Sequence, residues 1–166
     1  MLTRNRLADH LWVSIRDTPH HIIVAVSSAG GSPFDEMLER NAGLQAIVDA
    51  MHSTHPLLRE IAAGPQIMAA QDHIRAWYYR LSDEDRTPSQ LQTQALDSLD
   101  EALSILATHG DHDDLLQYSD FVHSLAMRVA RSAKEGDLLG IGGQLVSSGE
   151  KAFIEEVERS IQRVRA

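Results

Sequence analysis

The chain has 166 residues, a length that fits one domain built around one hydrophobic core. Its formal charge is −9 at pH 7, so its surface repels phosphate groups, and we expect neither a nucleic-acid partner nor attraction to an anionic membrane. It contains no cysteine, which excludes disulfides, thiolate metal sites and cysteine nucleophiles and suits a reducing cytoplasm.

The composition and the helix-start signals both favour an all-α fold. Only 5% of the residues are aromatic, so the core must be built mainly from aliphatic side chains, which favours helices over a β-sandwich. A cap residue stands directly before proline at Thr18-Pro19, Ser32-Pro33 and Thr87-Pro88, and each pair predicts a helix start. We therefore predict an all-α single domain over residues 1–166, with about seven helices that are bundle-like or orthogonally packed.

The apolar periodicity places these helices along the chain. The run 21–26 is β-branched like a strand, but no comparable second strand exists, so it is predicted to be a short buried helix. Gly110 is predicted to end one helix in a left-handed conformation. In chain order, the predicted segments are 4–16, 21–26, 34–51 (with Met37, Leu44, Ile47, Val48 and Met51 facing the core), 57–63, 67–81, 88–108, about 113–136, and 148–164.

Histidine is the most conspicuous excess, with nine residues. Between two predicted helices, His109, His112, Asp113 and their acidic neighbours place two imidazoles and three carboxylates within six residues. Such a set could hold a divalent cation, because neutral imidazole and carboxylate are common metal ligands. The same residues also suit a helix end followed by an acidic helix start, where carboxylates complement the helix dipole. The sequence leaves both interpretations open.

Other patterns give weaker functional hypotheses. Asp49-x-x-His52 and Asp120-x-x-His123 have the spacing of a dimetal bundle, but a helical wheel turns both aspartates away from the core. No Gly-x-Ser-x-Gly elbow is present, and the glycine-rich loop 136–149 lacks the lysine of a P-loop. Aromatic residues at 77–79 could stack on a ligand or pack in the core. A small-molecule pocket lined by Met51, Met68 and Trp77 is a further possibility.

The C-terminal part of the chain resembles a known family. Residues 130–136, followed by Val146, Ser147 and Glu150, are similar to the Ala-x-x-Asp-Gly-x-hydrophobic-Ser-x-x-Glu turn of bacterial tellurite-resistance TerB-like proteins. The resemblance covers roughly 35 residues and implies a fold of about seven helices, with Glu135 and Glu150 as cation ligands. Glu135 replaces the family's aspartate, and about seven residues intervene after Gly136. Independently of any ion, Ser147 and Glu150 have the spacing of a helix capping box.

The sequence thus predicts a non-enzymatic, cytoplasmic bacterial protein that contacts a protein partner or a second copy of itself, with a stress-associated role. The alternative is a metal-dependent helical protein, either an enzyme or a metal-responsive binder. Its divalent ion would be held by residues from the acidic turns, namely His109, His112, Asp113, Glu135 and Glu150.

Overall fold

The computed structural model describes residues 1–29, 33–135 and 147–165, without the side chains of 33–35 and 133–135. These described residues form seven α-helices and no β-strand, which confirms the predicted all-α class. Short 3-10 turns at Arg4–Arg6 and Ala50–His52 precede α1 and follow α2. The helices are α1 (Asp9–Ser27), α2 (Pro33–Asp49), α3 (Pro56–Ile61), α4 (Gly64–Arg80), α5 (Pro88–His109), α6 (His112–Glu135) and α7 (Ser148–Arg165).

The central helix is α1, which packs against α2, α4, α5 and α6. Its second half is apolar around much of its circumference, and a helix of that kind is stable only when it is enclosed. Ile22, Ala25 and Val26 are accordingly fully buried. The helix predicted over 21–26 is confirmed, but it continues the helix predicted over 4–16 instead of standing alone.

The expectation that Thr18-Pro19 begins a helix is wrong, because Pro19 lies inside α1. Proline has no N–H, so the Ile15 carbonyl one turn earlier lacks its helical donor. The Tyr118 hydroxyl of α6 donates to that carbonyl across 2.7 Å. The Thr18 hydroxyl lies 2.7 Å from the Ser14 carbonyl of α1 and 3.0 Å from the Ser98 carbonyl of α5, and it donates to one of them at a time. Two neighbouring helices therefore hold the interrupted part of α1, which a local helix-start rule cannot anticipate.

The face that α2 buries differs in part from the predicted one. Ile47 is fully buried and Leu44 is half-buried, as the periodicity predicts. Met37, Val48 and Met51 were expected to face the core, but they are 50%, 38% and 45% exposed. The reason is that α2 packs against α1 and α6 through a different face of the helix, and this face contains Gly43.

At Gly43, α2 passes close to both α1 and α6. A Cβ atom added there would lie 2.5 Å from Ile23 Cγ1 of α1 and 2.9 Å from Val129 Cγ2 of α6. Both distances are well below van der Waals contact, so only glycine lets α2 pack this closely against both helices. Gly43 thus positions α2 beside α1, and this placement shapes the cleft described below.

The later helices follow their sequence signals closely. Thr87 caps α5, since its hydroxyl oxygen accepts a hydrogen bond from Gln90 N at 3.4 Å. The left-handed conformation predicted for Gly110 is wrong, because its φ of −89° and ψ of −179° are extended. A Cβ atom there would instead lie 2.8 Å from the Leu106 carbonyl oxygen. Glycine is therefore required at this position by close approach, not by a positive φ.

One continuous cluster of buried side chains joins six of the helices, and α4 contributes Ile67 at its edge. α7 packs on α5 and α6, and α3 contacts α4 and α6. Pro33 begins α2 and Pro65 lies in the first turn of α4, in keeping with the predicted boundaries there. None of the helices in the described ranges combines the length and the apolar character needed to cross a bilayer.

Candidate functional site

The residues predicted as cation ligands lie at three helix ends. His109 ends α5, while His112 and Asp113 begin α6, and all three are exposed. Glu150 is buried in the first turn of α7, and Glu135 ends α6 with its side chain outside the described residues. Within the described part of the chain, no group of three or more His, Asp or Glu side chains is placed to hold a metal ion.

Two helix capping boxes explain much of the acidic pattern. At the start of α7, Glu150 Oε2 accepts from Ser147 N at 2.7 Å, and Ser147 Oγ accepts from Glu150 N at 3.1 Å. At the start of α6, Asp114 Oδ2 accepts from Asp111 N at 3.0 Å, and Asp111 Oδ1 accepts from Asp114 N at 2.9 Å. Both boxes satisfy N–H groups that a helix start leaves without partners. The capping interpretation of Ser147 and Glu150 is confirmed.

A buried histidine stands beside the second capping box, and nothing local in the sequence marks it. His55 is 5% exposed, and its Nε2 lies 3.4 Å from both Asp113 Oδ2 and Asp114 Oδ1. Neither nitrogen of this ring hydrogen-bonds to a described residue. The ring therefore packs between the segment before α3 and the start of α6 without a hydrogen bond to the two aspartates.

The two Asp-x-x-His motifs do not form a buried dimetal site. Asp49 Oδ2 accepts from Arg128 at 2.6 Å, and this hydrogen bond, followed by one from Gln45, lowers the pKa of Asp49. Asp120 Oδ1 accepts from Arg165 at 2.6 Å. Both aspartates are exposed, which confirms that they point away from the core. They serve as surface partners for arginines of other helices.

Among the described residues, a cavity of about 350 Å³ lies between α2 and α4, and we call it the α2–α4 cleft. Its floor is α1, where Ile23 and Val24 are at least nine-tenths buried. Leu44 of α2 and Ile74 of α4 extend this apolar lining. The polar groups on its walls are His20, Arg40, Gln71, Arg75, Tyr78 and Tyr79.

His20 is the polar group on the floor of the cleft. It is 5% exposed, and no residue among those described hydrogen-bonds to its ring. Burial lowers the pKa of His20 to about 4, although the Asp17 carboxylate acts in the opposite direction. The imidazole is therefore neutral at pH 7, with one ring nitrogen able to donate and the other able to accept.

The two arginines stand on opposite walls. Arg40 of α2 pairs with Glu36 and donates from Nε to Ser27 Oγ at 3.4 Å. Arg75 of α4 has its Nη1 3.7 Å from Asp72 Oδ1. Each guanidinium carries five N–H donors, so these contacts leave donors free to bind another group.

Arg86 and the neighbouring Trp77 fix the end of α4 that carries Tyr78 and Tyr79. The Arg86 guanidinium lies 5.3 Å from the ring centroid of Tyr78 and donates to the carbonyls of Tyr78 and Tyr79 at 3.2 and 3.3 Å. Trp77 Nε1 donates to Gln94 Oε1 at 3.1 Å. The end of α4 is thus fixed to the following loop and to α5. Tyr79, 73% exposed, is the aromatic residue that reaches the surface.

Beside the cleft, a pair of buried charged side chains in the middle of α1 contacts the exposed His73 of α4. Asp17 is 6% exposed, and its Oδ1 accepts from Arg16 Nε at 2.6 Å. His73 Nδ1 of α4 lies 3.1 Å from Asp17 Oδ2 and 2.9 Å from Arg16 Nη2. One ring nitrogen either donates or accepts, so it hydrogen-bonds to only one of these groups at a time. The pair lies on the side of α1 next to His20.

Sequence patterns predicted only some of the residues that line this cleft. The aromatic run 77–79 was proposed to stack on a ligand or to pack in the core, and Tyr78 and Tyr79 do line the cavity. Met51 and Met68, offered as lining for a different pocket, are 45% and 66% exposed and do not line the cleft. Nothing local in the sequence singles out Arg40 or Arg75, since a solvated arginine on a helix is the usual case.

Comparison of the chain with family models, with curated proteins and with solved structures finds no match in any of the three. The resemblance to TerB-like proteins and the stress-associated role it implies stay predictions.

Proposed function

We propose that this chain is a non-enzymatic binding protein that holds a small organic molecule in the α2–α4 cleft. The observation that carries the proposal is a cavity of about 350 Å³ with an apolar floor and a few polar groups around it. Pockets for small molecules have volumes of about 300 to 1,000 Å³ and this same division between apolar lining and orienting polar groups.

The chemistry of the lining supports binding over catalysis. Among the described residues that line the cleft there is no serine, threonine, cysteine or carboxylate to act as a nucleophile. His20 is the histidine in the cavity, and its pKa of about 4 makes it a weak base at neutral pH. These groups suit a non-enzymatic binding protein better than an acid–base enzyme. The sequence predicted a non-enzymatic protein that contacts a protein partner or a second copy of itself, and it offered a small-molecule pocket only as a further possibility.

A neutral fluorescent probe tests whether the cleft binds organic molecules at all. Prodan, whose emission shifts when it leaves water, would be titrated into the purified protein. We expect saturable binding with one site per chain and a rise in Tm, because a ligand that binds only the native state stabilises it. Ile74→Trp should fill the cavity and abolish this binding.

The matched control is Met68→Trp, which adds the same side chain to the same helix at a position that is 66% exposed and outside the cleft. It should bind prodan as the unmodified chain does. Circular dichroism and a thermal melt establish that both variants are folded. Binding of prodan that Ile74→Trp leaves unchanged would rule out the cleft as the site.

A further inference from the structure

We infer that the ligand of the α2–α4 cleft is a small aromatic carboxylate, an assignment that rests on the binding function proposed above. Arg40 and Arg75 carry the charge among the described lining residues, and they belong to a chain whose net charge is −9. Glu36 and Asp72, which pair with these arginines, do not line the cleft, so a cationic guest inside it would meet the two guanidinium groups and be repelled. A carboxylate matches the paired N–H groups of guanidinium and can accept two parallel hydrogen bonds.

The existing partners of the arginines do not prevent this binding. The side chains of Arg40 and Glu36 are 41% and 37% exposed, and those of Arg75 and Asp72 are 68% and 72% exposed. Ion pairs that are open to water in this way are weak, because water already stabilises both charges. An incoming carboxylate therefore competes only with a small interaction.

The charge balance also favours one negative charge over two. Glu36 and Asp72 lie beside the two arginines and repel an anionic guest. A phosphate monoester, which carries up to two negative charges at pH 7, is repelled by these acids more strongly than a monoanion. A carboxylate meets the smaller repulsion and still matches the paired N–H groups of guanidinium.

The other lining groups indicate what the ligand carries besides its carboxylate. Tyr78 and Tyr79 offer ring surfaces against which an aromatic body can pack in an offset or edge-to-face arrangement. Below them, the aliphatic floor favours an apolar ring system. The neutral His20 ring at the floor, which no described residue hydrogen-bonds, can bind one polar substituent at the far end of the guest.

The probe pair that tests this assignment is 6-hydroxy-2-naphthoate and its neutral match, 6-hydroxy-2-naphthamide. Calorimetry at pH 7.5 and low salt would measure both dissociation constants. We expect the carboxylate to bind at least about tenfold more tightly than the amide, since hydrogen bonds to a charged group are the stronger ones. The corresponding naphthyl phosphate should bind more weakly than the carboxylate.

Arg40→Met and Arg75→Met remove the guanidinium and keep most of the aliphatic stem. Each should weaken carboxylate binding about tenfold and leave amide binding unchanged. The control Arg80→Met makes the same change in net charge on α4, at an exposed position outside the cleft. It should change carboxylate binding less than about twofold, and thermal melts of all three variants confirm that they are folded.

The outcomes separate this inference from the proposed function. Equal binding of amide and carboxylate, with both blocked by Ile74→Trp, would leave the cleft as a binding site and overturn the assignment of an anion. An equal loss in Arg80→Met would also overturn it, because the effect would then come from net charge alone. Failure of both naphthalene compounds and of prodan to bind would overturn the proposed function itself.

Discussion

At the scale of single residues, the stability of this protein depends on polar groups whose partners come from distant parts of the chain. The Ile15 carbonyl loses its helical donor to Pro19 and receives a hydrogen bond from the Tyr118 hydroxyl instead. Burial raises the pKa of Tyr118 well above its usual value, so the hydroxyl keeps its proton and remains a donor. A buried carbonyl left without a donor costs more free energy than one average hydrogen bond contributes in net terms.

Replacing Tyr118 by phenylalanine tests this arrangement. Tyr118→Phe leaves the Ile15 carbonyl without that donor and should lower the free energy of unfolding by about 1 to 3 kcal/mol. In a Pro19→Ala background the backbone N–H returns, so the same substitution should cost less. Urea unfolding of the four proteins of this double-mutant cycle measures the coupling. Equal losses in both backgrounds would show that the two sites are independent.

The buried histidines of α1 predict how stability changes with pH. Burial lowers the pKa of His20 and of His21 to about 4, whereas the unfolded chain has a value near 6.5. Below pH 6.5 the unfolded state therefore binds protons that the native state does not bind. Stability should be constant above that pH and fall between about pH 6.5 and pH 4.

The expected loss at pH 5 is about 2 kcal/mol for each of the two histidines. Urea unfolding at pH 7.5 and pH 5.0 measures it, and His20→Gln should reduce the loss by about half. A free energy of unfolding that is the same at both pH values would contradict the burial argument.

At the scale of the elements, local signals decide where helices begin and end, and close approaches decide how they pack. The capping boxes at the starts of α6 and α7 are local, since each uses residues three positions apart. The packing of α2 is not local, because Gly43 matters only through Ile23 and Val129 on two other helices. The role of Gly43 therefore depends on its neighbours in space and not on its neighbours in the sequence.

Two glycine substitutions test whether close packing requires glycine at position 43. Gly43→Ala would force a methyl group to within 3 Å of Ile23 and Val129, and we expect it to destabilise the fold by about 1 to 3 kcal/mol despite the helix propensity of alanine. Gly64→Ala is the matched control at the start of α4, where an added Cβ meets nothing within 4 Å. Thermal and urea unfolding compare them, and Ile23→Val should partly rescue Gly43→Ala. Similar stabilities for the two alanine variants would contradict the close packing of α2.

At the scale of the whole molecule, the metal-dependent alternative has a direct test. Among the described residues, no group of three or more His, Asp or Glu side chains is placed to hold a metal ion, and capping accounts for Glu150. We therefore expect EDTA to leave the Tm of the purified, untagged protein unchanged. Elemental analysis and thermal melts with EDTA and with added divalent ions check this. Stoichiometric metal with an EDTA-sensitive melt would contradict it, and alanine substitutions at His109, His112 and Glu135 would then locate the site.

Self-association, with a protein partner as the other possibility, stays a prediction from the sequence. Light scattering at high protein concentration should show a dimer or a larger species. A clean monomer under those conditions would count against contact between copies of the chain, and the small-molecule function proposed for the cleft would be unaffected.

The sequence by itself determined the all-α class, the bounds of the later helices and the capping role of Ser147 and Glu150. These properties follow from residues one to four positions apart, which is the range over which helical periodicity and capping operate. The tertiary structure alone decided that Pro19 lies within a helix, that Met37 and Val48 are exposed, and that Arg40 and Arg75 line one cavity. Each of these depends on which helix stands opposite, and local periodicity carries no information about that.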